Sequence, residues 1–298
     1  MRAPATARGR TYAVSVASGA VVLVGGRSSR MGTPKAALEW HGSTLLRRTA
    51  GIVARATGGP VVVVRARGQD LPTLPEGTIV ADDPRPGKGP VQGIAAGLAA
   101  LEGLAETAFV TSTDLPFLHP AFIAAVLRVL AAPGGPDVVL PVSRGYQQPL
   151  AAAYRTGLAG LAEGLVKEDR LRPAFLFAEC DVARLDDAAL LADPVLAALD
   201  PGLDSLLNVN TPDDYLAARQ RPAPEVTVRL SGALVTAGWP GRPHKVRAAT
   251  VLAAAAAAGL APGRDVAAVI NDGQVTRDPE APLVAGDAVL FAPAAADG

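Results

Sequence analysis

A single cysteine, Cys180, rules out an intrachain disulfide or a cysteine-based zinc site within this sequence, and its thiol is expected to be buried. The three histidines, at 41, 119 and 244, lie too far apart for an i,i+4 metal pair. Aromatic residues make up only 4% of the chain, which disfavours a stacking platform for single-stranded nucleic acid. Neither sign of charge is in excess: 28 Lys and Arg balance 28 Asp and Glu, so any cationic function must be local. No apolar run reaches the ~18 residues of a membrane span, and the alanine tract at 253–258 falls far short. Arg2, Arg8 and Arg10 ahead of Tyr12–Ala17 imitate a secretory leader, but Ser15, Ser18 and Gly19 break the apolar stretch. Residues 1–18 are therefore read as a disordered tail, and the chain as cytoplasmic.

With 298 residues and 49% apolar content, the chain has room for about two domains with real cores. The segment Ala20–Val24 has the length of a buried parallel strand and breaks into a loop containing Gly25, Gly26 and Gly32. In open α/β sheets the carboxyl edge of such strands is where ligands bind. Glycines let the backbone N–H groups approach a ligand, Ser28, Ser29 and Thr33 add small hydroxyls, and Arg30 and Lys35 add two cations. That combination suits a polyphosphate, with a nucleoside triphosphate as the natural candidate. The spacing is neither that of a Walker A loop nor G-x-G-x-x-G.

Strand and helix then alternate. Ser43 is a candidate N-cap for a helix over 44–56 ending at Gly58-Gly59, followed by strands at 61–64 and 78–81, the latter reaching Asp82-Asp83. A Gly/Pro loop at 84–90 feeds a helix at 91–101, and the strand Ala108–Asp114 places Asp114 on the same sheet edge as the first loop. A helix at 121–131, strands at 137–141 and 145–150 and a helix at 156–166 follow; Thr211 caps a last helix with Pro212 at its first position. This alternation predicts a doubly wound, mostly parallel α/β domain over 19–219, then a linker at 220–224. Residues 225–298 predict a small α+β domain, with strands at 225–230, 266–270 and 288–292, a helix at 248–258 and a turn at 271–274. Three loops thus converge on one edge, carrying the two cations, Asp82 with the 87–93 glycine run, and Asp114. A carboxylate opposite a polyphosphate calls for a bridging Mg²⁺ with hard oxygen ligands.

Four stretches in order, Leu23–Lys35, Gly89-Pro-Val-Gln-Gly93, Ser112-Thr-Asp-Leu-Pro116 and Asn208-Val-Asn-Thr-Pro212, resemble the successive motifs of the molybdenum cofactor guanylyltransferases. The resemblance covers about residues 20–219 and implies a Rossmann-like nucleotidyltransferase. Its implied reaction transfers GMP from Mg·GTP to the terminal phosphate of molybdopterin and releases pyrophosphate. Carried over by position, Leu23, Val24, Gly25 and Gly26 hold guanine and ribose, Arg30 and Lys35 the phosphates, Asp82 the nucleotide, and Asp114 the Mg²⁺. Asn208 and Asn210 fall near the second substrate or metal, and Gln148 with Arg170 or Arg172 near the pterin. Molybdenum-insertion proteins or molybdoenzyme chaperones are further implied partners, whereas nucleic acid and membranes are not.

Two departures bear on base choice: Val24 replaces the usual alanine, and Thr33-Pro34 replaces a glycine-rich stretch. A cytidylyltransferase acting on the same pterin shares the signature, so CMP transfer from CTP stays open, as does a noncatalytic nucleotide-binding cofactor chaperone. The stretches 266–273 and 282–291 resemble β-grasp sulfur carriers, which end in Gly-Gly. Asp297-Gly298 departs from that ending and favours a docking or structural role.

Overall fold

The structure, a computed structural model, describes residues 18–24, 34–85, 87–236, 238–239, 241–260 and 266–294. The chain divides into two compact units, with the break between Arg221 and Pro222.

In the first unit, β1 (Ser18–Leu23) is buried along its whole length. A small hairpin, β2 (Glu39–Trp40) with β3 (Ser43–Thr44), leads into α1 (Leu45–Thr57), β4 (Val61–Ala66), β5 (Ile79–Asp83), α2 (Pro90–Ala100) and β6 (Thr107–Ser112). Next come α3 (Pro120–Leu130), β7 (Val138–Ser143), β8 (Tyr146–Gln147), β9 (Ala151–Arg155) and α4 (Ala159–Lys167). The unit closes with α5 (Pro173–Phe177), β10 (Val182–Leu185), α6 (Asp187–Leu191), α7 (Pro194–Leu199) and α8 (Pro212–Arg219). The main sheet runs β10-β7-β9-β6-β1-β4-β5, with β8 paired to β7. Because β9 is antiparallel to both β6 and β7, β7 and β10 recover the direction of β1, β4, β5 and β6. Their carboxyl ends therefore share one edge, as the doubly wound reading expects.

Side chains alternate across the sheet. Val21, Leu23, Val62, Val64, Ala108 and Val110 pack beneath α2, α4 and α5, while α1 and α3 pack together on the sheet. α2 lies unusually close to β1. A Cβ on Gly97 would fall 2.2 Å from Val21 Cγ1, and one on Gly93 3.1 Å from both Leu23 methyls. Two glycines one turn apart thus give α2 a flat face against the strand that delivers the first loop.

Several local expectations are corrected. The N-cap of α1 is Thr44, whose hydroxyl accepts from Arg47 N at 3.2 Å; Ser43 is instead engaged opposite Trp40 in the hairpin. Within 145–150 only Tyr146–Gln147 is strand, the chain turns at Pro149-Leu150, and the longer strand is β9. Pro149 cannot donate to a ladder, and its carbonyl accepts from the Tyr154 hydroxyl at 2.8 Å. The expected helix at 156–166 begins as a 3₁₀ turn over Thr156–Leu158 and becomes α-helical at Ala159. Strand β6 stops at Ser112, so Asp114 lies two residues beyond it. Cys180 is half-buried rather than buried; its thiol donates to Leu176 O at 3.2 Å, and burial first, then nearby Asp137 and Asp181, pushes its pKa up to about 11.

The expected cap of α8 is present as a full capping box. Thr211 Oγ1 accepts from Asp214 N at 3.1 Å, and the Asp214 carboxylate accepts from Thr211 N at 2.8 Å and Asn210 N at 3.0 Å. The Asn210 N–H, with help from Thr211, holds the Asp214 pKa below the usual carboxylate range.

The second unit contains β11 (Glu225–Leu230), β12 (His244–Arg247), α9 (Val251–Ala257), β13 (Val266–Ile270), β14 (Gln274–Thr276) and β15 (Ala288–Pro293). Its sheet runs β12-β11-β15-β13-β14; β11 and β15 are parallel, and the other pairs antiparallel. α9 packs into a separate core with Val226, Val228, Ile270 and Phe291. At the expected turn, Asn271 and Asp272 both take left-handed backbone, with φ of 52° and 57°. Buried Asp287 accepts from Asn271 Nδ2 and Val284 N, both at 2.8 Å, tying that turn to the start of β15. β12 and β14 were not separable from loop by alternation, being four and three residues long. Among the described residues, no helix is long and apolar enough to cross a membrane.

Gly97→Ala should destabilise the first unit by about 1–3 kcal/mol through overpacking, outweighing the ~1 kcal/mol helix-propensity gain; thermal unfolding measures this, and adding Val21→Ala should recover part of the loss. For Asp214, a pKa lowered in the folded state means a contribution fully present above the unfolded value of ~3.9 and lost as pH falls through the native value. The Tm gap between the native chain and Asp214→Asn should therefore be open at neutral pH and close on acidification below the carboxylate range.

Candidate functional site

Lys35 opens the short helical turn Lys35–Ala37 that follows the first loop. Its ammonium donates to Val209 O at 2.8 Å and Asn210 Oδ1 at 3.3 Å. Val209 N in turn donates to Asp114 O at 2.9 Å. One short segment, Asn208–Asn210, thus ties the Lys35 ammonium and the backbone of Asp114, from two separate loops, together at the carboxyl edge. The Ser112 hydroxyl donates to Asp114 Oδ1, while Oδ2 has no protein partner among the described residues. Asn208 and Gln148 share an open cavity of about 350 Å³ between the end of β7 and the 206–208 segment.

Packing behind the edge holds that segment in place. Trp40 meets Phe117 edge-on at 5.4 Å between centroids and Tyr215 at 6.4 Å, forming a small core with Leu45 and Val209. The Tyr215 hydroxyl donates to Glu39 O at 2.5 Å, and Arg219 pairs with the Glu39 carboxylate. Arg221 lies over the Phe117 ring at 4.6 Å and pairs with Asp204 at 2.8 Å. Burial first, then the Arg219 charge, lowers the His41 pKa beside this cluster. α8 is thereby fastened to the hairpin behind Lys35 and to the loop behind Asp114.

The remaining sequence candidates are placed differently. Gly25, Gly26 and Arg30 lie outside the described residues. Leu23 is buried against Gly93, and Val24 extends β1 by donating its N–H to Val64 O at 2.9 Å. The Val24 side chain is 9% exposed, so the added bulk of the departure from alanine is packed into the fold. Asp82 sits opposite Arg65 in the β4–β5 register and accepts from its Nε at 2.9 Å. No hydrogen bond or ion pair joins Asp82 to Lys35 or Asp114 among the described residues. Arg170 pairs with Glu179 at 2.9 Å and Glu168 at 3.5 Å and lies over Phe175 at 5.0 Å; the Glu179 bond raises its pKa. Arg172 occupies the N-cap position of α5 without a side-chain capping bond. The second loop reaches this region through Lys88, which pairs with Asp169 at 2.6 Å.

Among the described residues no three His, Cys, Asp or Glu side chains cluster as a ready metal cage. A half-buried carboxylate with one oxygen unpartnered among the described residues fits Mg²⁺, which keeps several water or phosphate oxygens and needs only one or two protein carboxylates. The bridging role of Val209 was not visible in the sequence, because its backbone rather than its side chain does the work. The flanking Asn-Val-Asn was the only signal.

A family model for the MobA-like NTP transferase domain matches residues 20–179. A probable molybdenum cofactor guanylyltransferase of Mycobacterium tuberculosis (strain ATCC 25618 / H37Rv) is 39% identical over 168 residues, which cover 55% of this chain and 81% of that protein. Another, from Bacillus cereus (strain Q1), is 28% identical over 205 residues, covering 67% of this chain and 94% of the relative. The fold is also similar to that of molybdopterin-guanine dinucleotide biosynthesis protein A from Archaeoglobus fulgidus, with a TM-score of 0.50, 24% identity, and coverage of 68% of this chain and 97% of that one. The chain therefore belongs to the MobA-like NTP transferase family and is a nucleotidyltransferase.

Proposed function

We propose that the first unit transfers GMP from Mg·GTP to the terminal phosphate of molybdopterin, with release of pyrophosphate, in molybdenum cofactor biosynthesis. The observation that supports this reading is that one segment at the carboxyl edge binds the Lys35 ammonium and the backbone carbonyl of Asp114, whose carboxylate keeps one oxygen unpartnered among the described residues. The names of the guanylyltransferase relatives support the substrates. An oxygen of the acceptor phosphate attacks the α-phosphorus of GTP in line; that P–O bond forms as the bond to the β-phosphate oxygen breaks, and pyrophosphate leaves with the electron pair. Lys35 and Arg30 neutralise charge on the phosphates as it shifts toward the leaving group. Mg²⁺ bound at Asp114 supplies Lewis-acid polarisation of the phosphoryl oxygens. Leu23, Val24, Gly25, Gly26 and Asp82 serve the nucleotide. Gln148, Arg170, Asn208 and Asn210 serve the acceptor.

The deciding experiment incubates the full chain with Mg²⁺ and molybdopterin and with GTP, CTP or ATP in turn, measuring pyrophosphate and the nucleotide-bearing product. GTP should support turnover. A product formed from CTP alone would reassign the base, and tight GTP binding with no pyrophosphate would make the chain a chaperone. Asp114→Ala should lower turnover on the order of 10²–10³-fold with an unchanged unfolding transition; undiminished turnover would remove Asp114 from the reaction.

A further inference from the structure

The hairpin between β7 and β8 carries features that no role assigned so far uses. Val142 pairs with Gln147 and Ser143 with Tyr146, leaving Arg144-Gly145 as a two-residue turn. Both turn residues have positive φ, 53° at Arg144 and 81° at Gly145. Such turns normally take Asn-Gly or Asp-Gly, since a left-handed backbone crowds the Cβ of a long side chain. Arginine at the first position is therefore a local strain, and strain of this kind collects where function over-rides stability. The Arg144 guanidinium has no hydrogen-bond or ion-pair partner among the described residues. Beside it, Tyr146 is 75% exposed. Arg144 and Tyr146 line the same cavity as Gln148 and Asn208.

The place of this cavity in the sheet indicates which substrate meets it. In the order β10-β7-β9-β6-β1-β4-β5, the first loop follows β1 and Asp82 lies in β5, on one side of β6 and Asp114. The hairpin follows β7, on the other side. A ligand in the cavity thus approaches Asp114 from the side opposite the nucleotide loops, which is the side open to the acceptor. We propose that the tip of this hairpin recognises the heterocycle of the acceptor, with the Tyr146 ring stacking on the planar pyrimidinone half of the pterin and the Arg144 guanidinium donating to its C4 carbonyl oxygen. A rigid two-residue turn fixes the two groups relative to each other, so neither needs a long loop to be ordered on binding. Gln148, whose Nε2 lies 3.4 Å from Tyr146 O, adds an amide at the base of the same wall.

This inference rests on the acceptor being molybdopterin, as in the reading above. Its test is equilibrium dialysis of molybdopterin against the full chain without nucleotide, under anaerobic conditions, with the bound fraction quantified as the fluorescent oxidised pterin. Tyr146→Ala and Arg144→Asn should each weaken molybdopterin binding at least about tenfold, the loss of a stacking partner or a charged hydrogen bond, while GTP affinity stays within twofold. Arg144→Asn should also unfold at a Tm equal to or above that of the native chain, because asparagine suits the turn better. Molybdopterin affinity within twofold of native in both variants would overturn the proposal, as would a parallel loss of GTP binding. Failure of the proposed reaction reads separately, as absence of pyrophosphate release from the native chain with GTP.

Discussion

The backbone of Val209 is the point on which the site depends, its N–H held by the Asp114 carbonyl and its own carbonyl by the Lys35 ammonium. A bond from a charged donor contributes about 1.5–3 kcal/mol and a neutral one about 0.5–1.5 kcal/mol. Those amounts alone do not bring together residues 174 apart in sequence, because ordering the intervening chain costs far more. The association comes instead from apolar burial, with Trp40 and Val209 at 2% and 3% exposure in one small core. Fully burying a large apolar side chain is worth about 1.5–3 kcal/mol. Packing thus brings α8 and its leading segment to the sheet, and the two hydrogen bonds set its register against the two loops.

Packing likewise sets the position of β1. Glycines at 93 and 97 let α2 sit close enough that Val21 and Leu23 fill the space their side chains would need. The strand feeding the first loop is therefore held against a close-packed helix. Close packing at the end of β1 thus fixes where the first loop departs. Val24 belongs to this framework: its N–H continues the β1–β4 ladder, and its side chain is buried.

Much of this was legible in the sequence because the information was local. Apolar runs of strand length, the glycines that end them, and Thr211-Pro212 at the head of α8 each report their own backbone state, so the parallel sheet and its functional edge could be read. Ser43 and the 145–150 stretch misled because the competing structure was pairwise: Ser43 is claimed by Trp40 across the hairpin, and Pro149 breaks what alternation alone reads as continuous strand. The grouping of candidates was harder still. Asp82 and Arg170 carry the residue types the site needs, yet each is engaged by a partner, Arg65 across the ladder and Glu179 in the connection after α5, that spacing cannot reveal. Lys35 and Asp114 were identifiable as chemistry, but not that a third segment would join them.

One antiparallel strand explains how a doubly wound sheet comes to have two working sides. Inserting β9 between β6 and β7 lets β7 run parallel to β6 without lying beside it, so the β7–β8 hairpin returns to the same edge a full strand away from Asp114. A wholly parallel sheet would have filled that position with a crossover connection. The spacing leaves a cavity rather than a packed loop, floored by the 206–208 segment that continues into Val209. The segment that fixes Lys35 and Asp114 is therefore also one wall of the space beyond them, and any ligand that shifts this wall acts on the same backbone that positions the cation and the carboxylate.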